Sequence, residues 1–503
     1  MKKVLIVVFA LSSLYSFGQT VSKSSKANKA AKPEVYAHTI TASDLKNHLY
    51  IVASKDMEGR ETATEGQKKA AAYIEDQFKR IGLLPGNNGS YQLKYSVYQD
   101  SLVNATLEVN GHQYELDKDF NATISNIAAV QPFSEVVYIG NNVTADSIRK
   151  ENLSGKLVMM SQDAMGIQGG RLQLTAKAAA IRAANPAAIL AISANYPRRI
   201  ASPRKDRQSL NFYRKSIVPQ SFTISEAVAS AIMGSNNSSS ASITTYQANV
   251  LLGVQKEVNV LESSNVIGII PGTDLKDEYL FVTAHYDHLG KRDSVIYYGA
   301  DDDGSGTVGV LEIAEAFAKA KQAGNGPRRT MVFMTVSGEE KGLWGSEYYG
   351  SHPIYPLDKT TADLNIDMIG RIDATRKQGD STNYVYVVGD DKLSSELKPI
   401  SEAQNKKYTK LELDYKFNDP NDPNRIYYRS DHYNFAKNGV PIIFYYDGML
   451  GADYHRPTDT PDKINYNLLA KRAQLVFYTA WDMANRDQML KRDIPLDKNV
   501  FSR

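Results

Sequence analysis

The chain has 503 residues, 42% of them apolar and 23% charged, which is ordinary globular material but too long for one ordinary domain. A formal net charge of +3 gives no electrostatic reason to expect nucleic acid or a strongly acidic partner. The absence of cysteine excludes disulfides, a thiol nucleophile and a lipidated-cysteine anchor, so stability must come from packing.

Residues 1–18 have the layout of a signal peptide. Two lysines precede an apolar run from Val4 to Leu11, and Ser16 and Gly18 stand ahead of a plausible cut before Gln19. The run is too short for the roughly 20 apolar residues of a membrane span, so no membrane insertion is expected. The mature protein is expected to be exported, either periplasmic or secreted. Residues 19–41, opening on the Ser-, Ala- and Lys-rich stretch Gln19 to Lys32, read as a disordered leader.

From Ala42 to Gly86 the pattern is helical. Ala70, Tyr73, Ile74, Phe78 and Ile81 keep helical spacing, and Gly82 then Pro85 stop it. The texture changes after Ser101. "ATLEVNGHQYEL" reads as two strands around the turn Asn110-Gly111, followed by strand-like "EVVYIG" and "GKLVMM". A helix-like "LQLTAKAAAIRAANP", a strand "AAILAI" and the Ser-rich tract Gly234 to Ser242 complete a module over 101–254, inserted into a larger domain of 42–100 and 255–503. The basic run Arg198 to Lys215 reads as a solvated loop face.

From Glu262 onward strands and helices alternate. Tyr279 to Asp287, Thr330 to Glu340, Ala362 to Gly370 and Val440 to Asp447 contain short apolar runs, too continuous for a sheet with one face in water. They predict an α/β fold, a mixed and largely parallel sheet with helices on both faces. Ligand sites in such sheets lie beyond the carboxyl ends of the strands.

Between the first and second of these runs lies "YYGADDDGSGTVGVLE", three aspartates on a glycine-rich turn. Asp301, Asp303, Ser305, Gly306 and Glu312 match the spacing of a calcium-binding EF-hand loop. That loop needs a helix on both sides, whereas "SVIYY" upstream reads as a strand. A capped helix N-terminus explains one or two of the aspartates and not three.

Every predicted strand of this region ends in metal-ligand chemistry. His285, Asp287 and His288 follow the first; Asp301, Asp302 and Asp303 lie on the turn; Glu339 and Glu340, then Asp367, then His455 come after the others. Singly, each would be an unremarkable structural group. Together, burying five or more ionisable groups would cost several kcal/mol apiece unless cations or partners offset them. A dinuclear metal centre uses these residue types, with one carboxylate bridging both ions.

The same motifs resemble the M28 zinc peptidases, which include leucyl aminopeptidases. The likeness runs through "MEGRETATEG", "TAHYDHLG", "GADDDGSG", "SGEEKGLWGS", "NIDMIG", "RSDHYNFAKNGVPIIFYYDG" and "DYHRPTDTPDKI". The inserted segment resembles, more weakly, a mainly-β protease-associated (PA) domain. The resemblance implies a zinc exopeptidase of the phosphorylase/hydrolase-like fold with two Zn2+ ions. Asp302 would bridge them, His285 and Asp367 would complete one set of ligands, and Glu340 and His455 the other. It implies Glu339 as general base toward a metal-bound water, and a cis bond between Asp302 and Asp303. Asp287, two residues past His285, is suited to orient its imidazole. The turn departs from the commonest family pattern at Asp303 and Gly304, and "YHRP" stands where His-Thr-Pro is common; neither removes a ligand.

The expected function is exopeptidase action on a peptide substrate, foremost the release of N-terminal residues. Carboxypeptidase or glutaminyl-cyclase-like chemistry on the same fold, and a receptor-like binding protein without catalysis, are the rivals. Tyr427, Tyr428 and Arg429 are candidates for substrate contacts. Residue preference and oligomeric state are not fixed by any motif.

Overall fold

The structure is a computed structural model and describes residues 32–123, 128–162, 165–168, 171–194, 208–212, 219–234, 242–451 and 453–495. The signal-peptide segment lies outside the described residues. Among the described residues, no helix is long and apolar enough to cross a membrane.

The leader expected over 19–41 ends earlier than its composition suggests. Pro33–Ala37 is a helix whose Tyr36 and Ala37 are buried, with Tyr36 stacked on Trp481 at 5.7 Å between ring centroids. An aromatic pair of this kind repays the ordering of a short polar segment. Thr41 then caps the helix Ala42–Val52, accepting the Asp44 N–H at 3.1 Å. The helix Glu65–Arg80 ends where Gly82 takes φ 82°, and Leu83 N–H donates to Phe78 O at 3.0 Å.

The strands fall close to their expected places: Leu275–His285, Arg329–Val336, Thr360–Ile366 and Ile442–Tyr446. Leu275–His285 lies between Thr360–Ile366 and Arg329–Val336, parallel to both, and Ile442–Tyr446 pairs in parallel outside Thr360–Ile366. Antiparallel neighbours at Tyr384–Val388 and Ile243–Ile270 make the sheet mixed.

Alternation of side chains divides each central strand between two cores. Leu280, Val282 and Ala284 face the helices Gly306–Gln322 and Tyr466–Asn485, while Phe281 faces Tyr349 and Phe435 on the other side. Helices therefore cover both faces, and the continuous apolar runs follow from that double burial.

Two long antiparallel strands, Gln92–Val109 and Ile243–Ile270, carry the sheet into the segment 101–254. The boundaries expected at 100/101 and 254/255 fall inside these strands, with Asp100 opposite Val258 and Ser101 opposite Glu257. The segment is thus joined to the larger domain by sheet rather than by linkers. It has its own core, with Leu107, Val136, Leu157, Leu190 and Phe222 buried together. The Asn110-Gly111 hairpin is present, pairing Val109 with His112. The basic run differs in part from a loop, since Gln208–Asn211 is a strand against Tyr98 to Ser101; residues 198–207 and 213–218 lie outside the described residues.

Candidate metal centre

The carboxyl ends of the parallel strands converge on one buried cluster. His285 closes its strand, Asp367 follows Thr360–Ile366, and Glu339 and Glu340 follow Arg329–Val336. Asp302 comes from the aspartate turn and His455 from the loop beyond Ile442–Tyr446.

Asp302 stands between two donor sets. Its Oδ1 lies 3.2 Å from His285 Nε2, which is 3.6 Å from Asp367 Oδ1. Its Oδ2 lies 3.1 Å from His455 Nε2, which is also 3.1 Å from Glu340 Oε2. His285, Asp302 and Asp367 form one group, and His288, Asp302 and Glu340 another, each with its ligating atoms within 4.8 Å of one another. The structure therefore brings together all five residues expected as ligands and adds His288.

These atoms are close but poorly satisfied. His285 Nε2, Asp302 Oδ2, Glu340 Oε1 and His455 Nε2 are buried without a hydrogen-bond partner among the described residues. Buried polar atoms are seldom left so, and nitrogen and carboxylate donors converging without hydrogen-bond geometry fit divalent cations. The electrostatics agree. Burial works against charge on His455, yet the Asp302 and Glu340 carboxylates beside it push its pKa up to about 10. Burial also opposes charge on Asp302, but His285 and His455 hold its carboxyl well below the usual range.

The flanking aspartates of the turn point elsewhere, which explains why there are three. Asp303 accepts backbone N–H groups from His285 at 3.2 Å, Gly306 at 2.9 Å and Met368 at 2.9 Å, tying three ligand-bearing segments together. Asp301 accepts Gly370 N–H at 2.8 Å. Asp459 in turn accepts the N–H groups of Asp301 and Asp302 at 3.0 and 3.1 Å. The Asp302-Asp303 bond is cis.

Upstream, the context is the short strand Val295–Ile296 rather than a helix, so the EF-hand is absent. Arg60, from "MEGR", is fully buried and donates to the backbone oxygens of Tyr286, Val52, Tyr298 and Gly299 at 2.7–2.9 Å. These supporting roles carry no sequence signal beyond the motif itself, because their partners are backbone groups from distant segments.

Asp287 is buried and accepts Thr62 Oγ1–H at 2.7 Å and Glu339 N–H at 3.2 Å. His285 Nδ1 lies 3.1 Å from the Asp287 backbone oxygen and 3.8 Å from its carboxylate. The imidazole is thus oriented mainly by the carbonyl, while the carboxylate positions the backbone of Glu339.

Glu339 opens with Asp302 and Asp367 into a cleft walled by Met368, Ile426, Phe444 and Leu450. Of the three candidates for substrate contact, only Arg429 lines this cleft, its Nη2 donating to Tyr454 Oη at 2.9 Å. Tyr427 is buried in the core, and its carbonyl accepts from His432 Nε2; Tyr428 packs on Tyr433.

Residues 265–480 match Peptidase family M28. A "Probable leucine aminopeptidase" of Trichophyton verrucosum is 31% identical over 226 residues, 44% of this chain and 57% of that protein. A "Probable zinc metalloprotease" of Pyrenophora tritici-repentis is 24% identical over 307 residues, 53% of this chain and 60% of that protein. The chain thus spans less than two thirds of these relatives. Among solved structures, an aminopeptidase from Aneurinibacillus sp. strain AM-1 shares the fold, with TM-score 0.54 and 20% identity over 92% of this chain and 99% of that one. The motifs at the strand ends from His285 to His455 thus lie within residues 265–480, the part of the chain that matches Peptidase family M28.

Proposed function

We propose that this chain is an exported exopeptidase that works with two zinc ions and releases N-terminal residues from peptides. The observation that supports it is the Asp302 carboxylate, with one oxygen facing His285 and the other facing His455. Imidazole and carboxylate donors suit zinc, and a shared carboxylate suits a pair of ions. In this reading His285, Asp302 and Asp367 would hold one ion, and Asp302, Glu340 and His455 the other. Bound zinc supplies Lewis-acid polarisation of the scissile carbonyl and lowers the pKa of water.

The chain's own part of the chemistry falls to Glu339. Burial holds its carboxyl well above the usual range; His285 pulls it down, but the charges of Glu340 and Asp367 add to burial. Such a group accepts a proton from the attacking water and returns it to the leaving amine. Asp287 accepts the Glu339 backbone N–H and, through its carbonyl, contacts the His285 imidazole, so one residue positions both groups. The apolar wall of Met368, Ile426, Phe444 and Leu450 would take a substrate side chain and exclude water. The segment 101–254 is read as an inserted PA-like domain.

Arg429 favours a second reading. A guanidinium in the cleft matches a free C-terminal carboxylate, which is carboxypeptidase polarity. Peptides with a free N-terminus, a blocked N-terminus or a blocked C-terminus separate the two, assayed before chelation, after it, and with zinc restored. Chelator-sensitive cleavage that needs a free N-terminus is expected. A requirement for a free C-terminus would reverse the polarity, and chelator-insensitive cleavage would remove the metal mechanism.

A further inference from the structure

His288 is fully buried, yet neither ring nitrogen has a hydrogen-bond partner among the described residues. An unpartnered buried polar atom costs about 1–3 kcal/mol, so its seat needs a cause. The surroundings hold the ring in place. His288 N–H donates to Arg60 O at 3.2 Å, and Arg60 also donates to Gly299 O at 2.9 Å. Gly299 lies against the imidazole, where a Cβ would come within 2.4 Å of Cγ and 2.6 Å of Cδ2. Only glycine leaves room for the ring at that place.

The ring is aimed at the centre. Its Nδ1 lies 2.9 Å from Glu340 Oε1 and 3.9 Å from Asp302 Oδ2, and its centroid is 6.0 Å from that of His455. Resting on the two-zinc reading above, we propose that His288 is a further ligand, through Nδ1, of the ion that Asp302, Glu340 and His455 would hold. Coordination would give one of the two orphaned nitrogens its partner.

The assignment makes the two positions unequal. One has four protein donors, two of them imidazoles, and is closed in the manner of a structural zinc site. The other has three, His285, Asp302 and Asp367, and keeps a coordination position open for water and substrate. The closed position fills first and holds its ion more tightly. The contrasting role for His288 is to donate from Nδ1 to Glu340 and steady it without touching metal.

Stepwise zinc titration of metal-stripped wild type, His288→Ala and His288→Gln tests this without an activity readout. In both variants one binding step is expected to weaken by more than the about 10–100-fold that losing a mere support of a ligand costs, with the other changed far less. Unchanged affinity at both steps would overturn the assignment. X-ray absorption at the zinc edge of wild type carrying one equivalent of zinc decides the matter even if the variants fold poorly. Two imidazoles on the first ion are expected, and one imidazole would leave His288 as a support for Glu340. Wild type that never binds a second ion would overturn the two-zinc reading beneath the proposal.

Discussion

The Asp303 carboxylate accepts the backbone N–H of Met368 at 2.9 Å, so the turn that carries Asp302 is tied to the residue after Asp367. The same carboxylate holds His285 N–H and Gly306 N–H. Three segments distant in sequence thus share one acceptor. Asp303→Ala leaves three buried N–H groups unpaired, at about 1–3 kcal/mol each, and is expected to lower both melting temperature and zinc affinity. Calorimetry with and without zinc checks it; an unchanged melting temperature would remove Asp303 from this role.

Glu339→Gln keeps the shape of the side chain and removes its basicity. The variant is expected to keep wild-type zinc content and lose turnover by about 100-fold or more. Elemental analysis beside a peptidase assay separates the two effects. Near-normal turnover would show that another group moves the proton.

Arg60 stabilises by geometry rather than by a charge partner. Its guanidinium holds four carbonyls, and burial lowers its pKa to about 10 despite nearby aspartates. Arg60→Met strands those carbonyls and is expected to cost about 3 kcal/mol or more, read by denaturant unfolding. A loss within experimental error would show that the loops around Tyr286 and Gly299 hold without it.

Proton linkage at the centre has a definite sign. In the chain without metal, His455 moves from an ordinary 6.5 to about 10, opposed by burial and driven by Asp302 and Glu340. Its stabilising contribution is fully present below about 6.5 and is lost as pH rises through about 10. Glu339 and Asp303 are raised chiefly by burial and lose stability in the same direction. The metal-free protein is therefore expected to weaken from pH 6 toward pH 10, whereas zinc affinity rises over that range because binding releases protons. Titration calorimetry in buffers of different ionisation enthalpy measures that release. Zero protons released at neutral pH would contradict the assigned ligands.

The pool of candidate metal ligands was legible because its chemistry lies in residue type and order, and the resemblance to the M28 peptidases singled out five of them. His285, Glu340 and Asp367 come at or just after apolar runs whose parallel strands bring such ends together, while Asp302 lies on the turn and His455 in a loop beyond the last run. The roles of Asp303, Asp459 and Arg60 were not legible, because each acts on backbone groups. Arg60 reaches Tyr286 across 226 residues, and no spacing rule connects them. His288 was visible as a candidate, but neighbouring His285 and Asp287 leave its direction open until the chain is folded. The limits of the segment 101–254 were obscured because composition changes near Ser101 while the strand Gln92–Val109 runs straight through.

Asp302 is expected to hold two ions at once. Zinc content per chain, measured by elemental mass spectrometry on purified wild type and Asp302→Ala, tests it most directly. Two zinc ions are expected in wild type, and loss of metal from both positions in the variant. One ion or none in wild type, or two retained by Asp302→Ala, would contradict it.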